Sequence, residues 1–227
     1  MTSRPVPTNY TASVNDARAP APEAPSQALD VGTVVVAFGL LGHWWSRPVP
    51  GEIAAWRANA RVEADVFAAM GATRELAGGR YDPRGLIDEY ERLFVGPGPV
   101  PCPPYESYWR DDVEVDLRRS LMGPCTAELR SIYEQLGLEV KPSSGELPDH
   151  LAIELEAISY ALTLDGHEEA VHALFFAHVR KWLPRFCRAV VHETEHPFYQ
   201  DLARGTSNWL PAFEAYLAAG AISATAR

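Results

Sequence analysis

Residues 90–109 read YERLFVGPGPVPCPPYESYW, and the parsing of the whole chain turns on this stretch. An apolar helical run through Leu86, Tyr90, Leu93 and Phe94 stops at Gly96-Pro97. The prolines that follow remove backbone donors and fix φ, so the segment neither continues a helix nor enters the middle of a sheet. It is expected to be a stiff, polyproline-like loop that presents Tyr105, Glu106, Ser107, Tyr108 and Trp109 at low entropic cost. A plain connector between two helices satisfies the same composition.

On either side of this loop the chain reads as helices. Val34 to Trp45 is apolar almost all round, which suits the centre of a bundle, with Trp44 and Trp45 inside. Residues 52 to 77 carry Ile53, Trp56, Val62, Val66, Phe67 and Met70 at mostly helical spacing and end at Gly78-Gly79. Asp82-Pro83 restarts a helix, with Asp82 as N-cap and Pro83 at the first helical position. Val113 to Met122 is ambiguous and is read as helix or coil. Pro124 opens a helix closed by Gly137.

KPSSGELPDH then divides the chain. The expected organisation is a disordered Pro/Ala-rich tail over 1–27, an N-terminal helical subdomain over 28–141, a hinge linker over 142–149 and a C-terminal helical subdomain over 150–227. Pro148 is expected to start the next helix, which places Asp149 in a first turn, where the helix dipole favours a carboxylate. His150 and Glu154 fall one turn apart on the flank of its apolar stripe. A solvated first-turn histidine accounts for His150 without any function. A further helix is expected from about 168 to 183, in which His178 caps a packed aromatic layer, with Pro184 beginning a new segment. The last helix starts at Pro197.

Thirty acidic against twenty basic residues give a formal charge of −10, which excludes a nucleic-acid backbone as the natural partner and fits a basic peptide or protein surface. Cys102, Cys125 and Cys187 form no CxxC pair, so neither a disulfide framework nor a zinc ribbon is supported. No apolar run reaches the ~20 residues that span a bilayer, and no export signal is read at the N-terminus, so a cytoplasmic protein without stable membrane insertion is expected.

One catalytic pattern has to be weighed. His192 to His196 reads HETEH and satisfies HExxH, in which two histidines on one helix face hold zinc and the glutamate polarises water. A zinc-dependent hydrolase using His192, Glu193 and His196 is therefore the alternative function. Pro197 argues against it, because the residue before a proline is driven out of the α region, making His196 a cap for the last helix. No nucleophile elbow or phosphate loop is present, so the sequence points to no enzyme, no metal and no cofactor.

Taken together, YERLFVGP, PPYESYW, LPDHLAIELE, FFAHVRKWLPRF and HPFYQDLA occur in an order and spacing that resembles the TorD/DmsD family of molybdoenzyme maturation chaperones. The resemblance covers roughly residues 30 to 220. It implies an all-α bundle of two subdomains joined by a hinge near the PDH motif, without catalytic turnover. It also implies partners: the apo catalytic subunit of a molybdenum-cofactor oxidoreductase and its twin-arginine signal peptide, held back from export during cofactor insertion. The carry-over puts Asp149, His150, Tyr105, Glu106 and Ser107 at the client-binding site, shaped by Leu93, Phe94, Gly96 and Pro97. His178 and Trp182 match an HxxW element and are read as structural. A homodimer formed by exchange across the hinge also fits the resemblance.

A signal peptide has a basic front and an apolar middle, so a receptor needs acidic groups beside an apolar groove. Glu106, Asp149 and Glu154 are the candidates for the first, and Phe94, Tyr105, Tyr108 and Trp109 for the second. The loop and the start of the helix after the linker are expected to converge on one cleft.

Overall fold

A computed structural model describes residues 29–51, 82–114, 119–141 and 145–220. The expected tail, the expected helix over 52–77 and parts of the 113–122 and 142–149 segments lie outside the described residues. Among the described residues the fold is helical and holds no strand, as expected for an all-α protein.

Helix α1 (Val31–Trp45) starts at Asp30, whose carboxylate caps the Thr33 amide at 2.9 Å. Helix α2 (Pro83–Tyr90) is capped by Asp82 as the Asp-Pro pair predicts, and runs into a π-helical segment, Glu91–Val95. That segment ends at Gly96, whose φ of +110° is a conformation that only glycine adopts without strain. The Gly96-Pro97 peptide is cis. A short turn of helix, α3 (Glu106–Trp109), follows the proline run. Then come α4 (Pro124–Gln135), α5 (Leu151–Ala161), α6 (Glu168–His172), a π-helical segment over Ala173–Val179, α7 (Arg180–Glu193) and α8 (Pro197–Ala218).

Helices α1 and α5 approach closely because of Gly42: a Cβ there would stand 3.1 Å from the Ala152 carbonyl oxygen. Ser159 closes the same contact by donating to the Val35 carbonyl at 2.8 Å. Helix α1 also meets α8, where Trp45 Nε1 donates to Thr206 Oγ1 at 3.0 Å. Phe38, Phe175 and Phe213 meet edge to face, with ring centroids 4.6 and 4.8 Å apart. Trp45, Trp182 and Trp109 each pack edge to face on Phe186. Such pairs contribute about 0.5–1.5 kcal/mol each beyond area burial. One buried cluster thus runs from Val34 to Leu217, drawing on residues from both sides of the linker.

Two expectations about helix limits are corrected. Pro184 lies inside α7 and does not begin a new segment. Proline costs an interior helix one i→i−4 bond, and α7 carries it directly after a π-helical stretch whose regular α pairing is already interrupted. Helix α5 starts at Leu151 with His150 as N-cap, so Asp149 precedes the first turn. Residues 119–122 form a turn and bend, not helix, with Arg119 and Met122 at positive φ.

All three cysteines are buried as free thiols. Burial pushes the Cys102 thiol up to about 12 and raises Cys125 and Cys187 further. No helix among the described residues is long and apolar enough to cross a membrane.

Candidate functional site

The proline run and the PDH turn meet through the backbone. Leu151 N donates to the Pro104 carbonyl and Glu106 N to the Asp149 carbonyl, both at 2.9 Å, in an antiparallel bridge between Tyr105 and His150. Prolines leave the loop few donors of its own. Its surviving amides are used for anchoring, including Cys102 N to the Leu93 carbonyl at 3.0 Å.

Side chains extend the junction inward. Asp149 is fully buried, and its Oδ2 accepts from Ser107 N at 3.1 Å and Ser107 Oγ at 2.6 Å. Its other oxygen accepts from Thr126 Oγ1 at 3.1 Å, tying in the start of α4. Gly123 permits that approach, since a Cβ there would stand 3.2 Å from the Ser107 Cβ.

Glu106 is also fully buried. Arg110 Nη1 donates to its Oε1 at 2.5 Å, and His178 Nδ1 lies 2.9 Å from Oε2, donating in the tautomer that carries the proton there. Arg110 also donates to the Ala177 carbonyl at 3.0 Å, so one guanidinium joins the loop to the second π-helical segment.

Glu154 completes the interior cluster. Trp182 Nε1 faces its Oε2 at 3.4 Å, while Oε1 is buried without a hydrogen-bond partner. Burial, then the nearby charges of Glu106 and Asp149, push its carboxyl well above the usual range. Burial and the two neighbouring carboxylates both favour its neutral acid over the ionised form.

His150 is 3% exposed, so the solvated first-turn histidine expected from sequence is corrected to a buried cap. Its Nδ1 accepts from Ala152 N at 3.2 Å, leaving the proton on Nε2, which lies 3.8 Å from Glu146 Oε2. Burial pushes its pKa down. Tyr105 packs edge to face on the His150 ring and donates its hydroxyl to Glu146 at 2.6 Å. The end of the linker is thereby fastened to the loop.

The expected convergence of the loop and the helix start is therefore present, but Glu106, Asp149 and Glu154 do not edge a solvent groove. All three are fully buried. Tyr105, Tyr108 and Trp109 are half-buried, and Trp109 Nε1 is spent on the Pro103 carbonyl at 2.6 Å. Leu93 and Phe94 are core residues, whereas Gly96 is half-buried and Pro97 exposed. His178, read from sequence as a cap on an aromatic layer, is a direct partner of Glu106; a lone helical histidine gives no sign of a partner 72 positions away.

The HETEH segment is split. His192 and Glu193 end α7, Thr194 is extended at φ −117° and ψ 139°, and His196 is the N-cap residue of α8. The two histidines lie on different helices, and no group of metal-ligating side chains that could hold an ion occurs among the described residues. The zinc hydrolase reading finds no support.

An all-helical bundle whose proline loop is locked to the PDH turn by buried polar contacts is the class of protein that this geometry defines. Residues 59–188 match the family model described as nitrate reductase delta subunit, and the chain belongs to that family. It is 28% identical over 162 residues to the Tat proofreading chaperone DmsD of Salmonella typhi, covering 71% of this chain and 74% of the relative. It is 28% identical over 127 residues to the chaperone protein TorD of Shewanella pealeana, covering 55% and 57%. A crystal structure titled as a putative redox enzyme maturation protein from Archaeoglobus fulgidus superposes with a TM-score of 0.49 at 23% identity, over 80% of this chain and 93% of the other. The TorD/DmsD resemblance read from the motifs is borne out.

Proposed function

We propose that the chain is a cytoplasmic chaperone of redox-enzyme maturation that acts by binding and not by turnover. Its client is the apo catalytic subunit of a molybdenum-cofactor oxidoreductase, held with its twin-arginine signal peptide until the cofactor is inserted. Family membership and the relatives named Tat proofreading chaperone DmsD and chaperone TorD support this reading. The single observation that carries it to a site is the bonded junction of the PPYES loop with the PDH turn.

Within that junction the roles divide by burial. Asp149, Glu106, Ser107, His150 and Glu154 hold the loop in shape, and the half-buried Tyr105 and Trp109 form the face that a client touches. Exchange of the segments flanking 142–149 between two copies would give a homodimer with the same junction rebuilt across chains.

Affinity capture of the tagged chain from its host tests the reading. Recovery of a molybdoenzyme catalytic subunit with its leader attached, reduced by Tyr105→Ala, is the expected result. Absence of any such subunit from cells that express one would overturn it.

A further inference from the structure

A side chain that caps the start of a helix has to accept a hydrogen bond from the first turn, a task usually given to Ser, Thr, Asp or Asn. In α5 the acceptor is an imidazole: His150 Nδ1 takes the Ala152 amide at 3.2 Å. A serine or asparagine cap is indifferent to pH, whereas Nδ1 accepts only while it carries no proton. Protonation turns it into a donor aimed at another donor, and sets a positive charge at the helix end that disfavours one. The ring is buried, so the lost bond is poorly replaced by solvent.

This cap stands where the loop is fastened. Loop and PDH turn pair through the Tyr105–His150 bridge, which the amides of Glu106 and Leu151 close. The Tyr105 ring lies edge to face on the imidazole at 5.3 Å, and its hydroxyl donates to Glu146 Oε2 at 2.6 Å. That same oxygen is 3.8 Å from His150 Nε2, beyond hydrogen-bond reach but close enough to pair once the ring is charged. A proton on His150 therefore removes the α5 cap and draws the Tyr105 acceptor towards the ring in one event. Glu146 is partly exposed, which gives the pair access to solvent.

Two carboxylates act on the ring, Glu146 and Asp149, and both favour its charged form; burial acts the other way and prevails, pushing the pKa down. Tyr105 is the titratable group in contact with it, and burial raises the phenol's own pKa. A depressed histidine pKa leaves the closed junction fully stable above the ring's ordinary value, and that stability is lost as pH falls below it towards the folded value.

We propose that His150 is a proton-operated latch: neutral, it caps α5 and keeps the Tyr105 segment of the proline loop paired to the PDH turn, and protonated, it releases both. The latch operates in the free chain, whichever client the loop meets.

The test is site-resolved amide exchange on the full chain between about pH 7.5 and about pH 5.5, expressed as protection factors and recorded beside the nitrogen-15 signals of the histidine rings. Protection of the Glu106, Leu151 and Ala152 amides is expected to fall about tenfold as His150 protonates, since one group titrating below about 6.5 shifts an opening equilibrium by up to about tenfold per pH unit. His150→Asn supplies an acceptor that does not titrate and is expected to hold protection at these amides constant within about twofold. Unchanged protection in the unaltered chain while the ring signals show His150 protonated would overturn the latch. An equal fall in the parent and in His150→Asn would overturn it too, and neither result bears on the chaperone reading.

Discussion

Helix α5 presents two faces that differ in kind. Towards the proline loop it offers Glu154 beside Glu106 and Asp149, all without solvent exposure and all but one oxygen bonded. Towards α4 it offers Ile153, Glu156 and Tyr160, around an open apolar cavity. Polar residues are the buried ones on the first face, and a large aromatic is the exposed one on the second. That inversion of the usual preference sets a face closed by buried polar contacts beside one that keeps a cavity with an exposed aromatic rim.

The sharpest way to break the contrast is Asp149→Ala. It leaves Ser107 N, Ser107 Oγ and Thr126 Oγ1 without their acceptor at a buried site, and a loss of about 3–5 kcal/mol is expected in urea unfolding. A loss below about 1 kcal/mol would mean that the junction is not what fixes the loop. Glu106→Gln keeps the shape but weakens the charge-assisted bonds to Arg110 and His178, with about 2 kcal/mol expected.

Glu154→Gln sharpens the comparison through pH. The folded-state pKa of Glu154 is raised, so its contribution is fully present below the unfolded pKa and is lost as pH rises through the folded value. The glutamine variant does not titrate there, and its stability relative to the parent should climb with pH; unfolding at acid and neutral pH measures this. A constant difference would show that Glu154 is not held neutral. The smallest effect is expected at His192→Ala, an exposed side chain: a change within about 0.5 kcal/mol and no loss of metal by elemental analysis.

These four positions also show what a sequence makes legible. Asp82-Pro83 and His196-Pro197 were readable as helix starts because capping and proline chemistry act over three or four residues. The same proline chemistry argues in the sequence against the HETEH match, and the structure splits that segment between two helices. Resemblance points to Asp149 and His150, and the need for acidic groups beside an apolar groove points to Glu154, yet their burial is not readable from the sequence. Ser107 and Asp149 are 42 positions apart, and nothing local says that a loop will arrive to cover them. Pro184 misled for a related reason: tertiary packing of Trp182, Phe186 and Cys187 keeps α7 helical across a residue that local propensity treats as a break. The cavity between α4 and α5 left no trace in any motif, since it is a space between elements.

The three buried thiols have a practical meaning. Their raised pKa values keep them protonated near neutral pH, and the fold shields them from reagents. Cys125 sits on α4 beside the junction, Cys102 in the proline run and Cys187 in the middle of α7. Each is therefore a native reporter of opening in its own neighbourhood. Site-resolved alkylation rates, followed by mass spectrometry, would rank the proline run, α4 and α7 by how often each unlatches, in an unmodified chain and with a client bound.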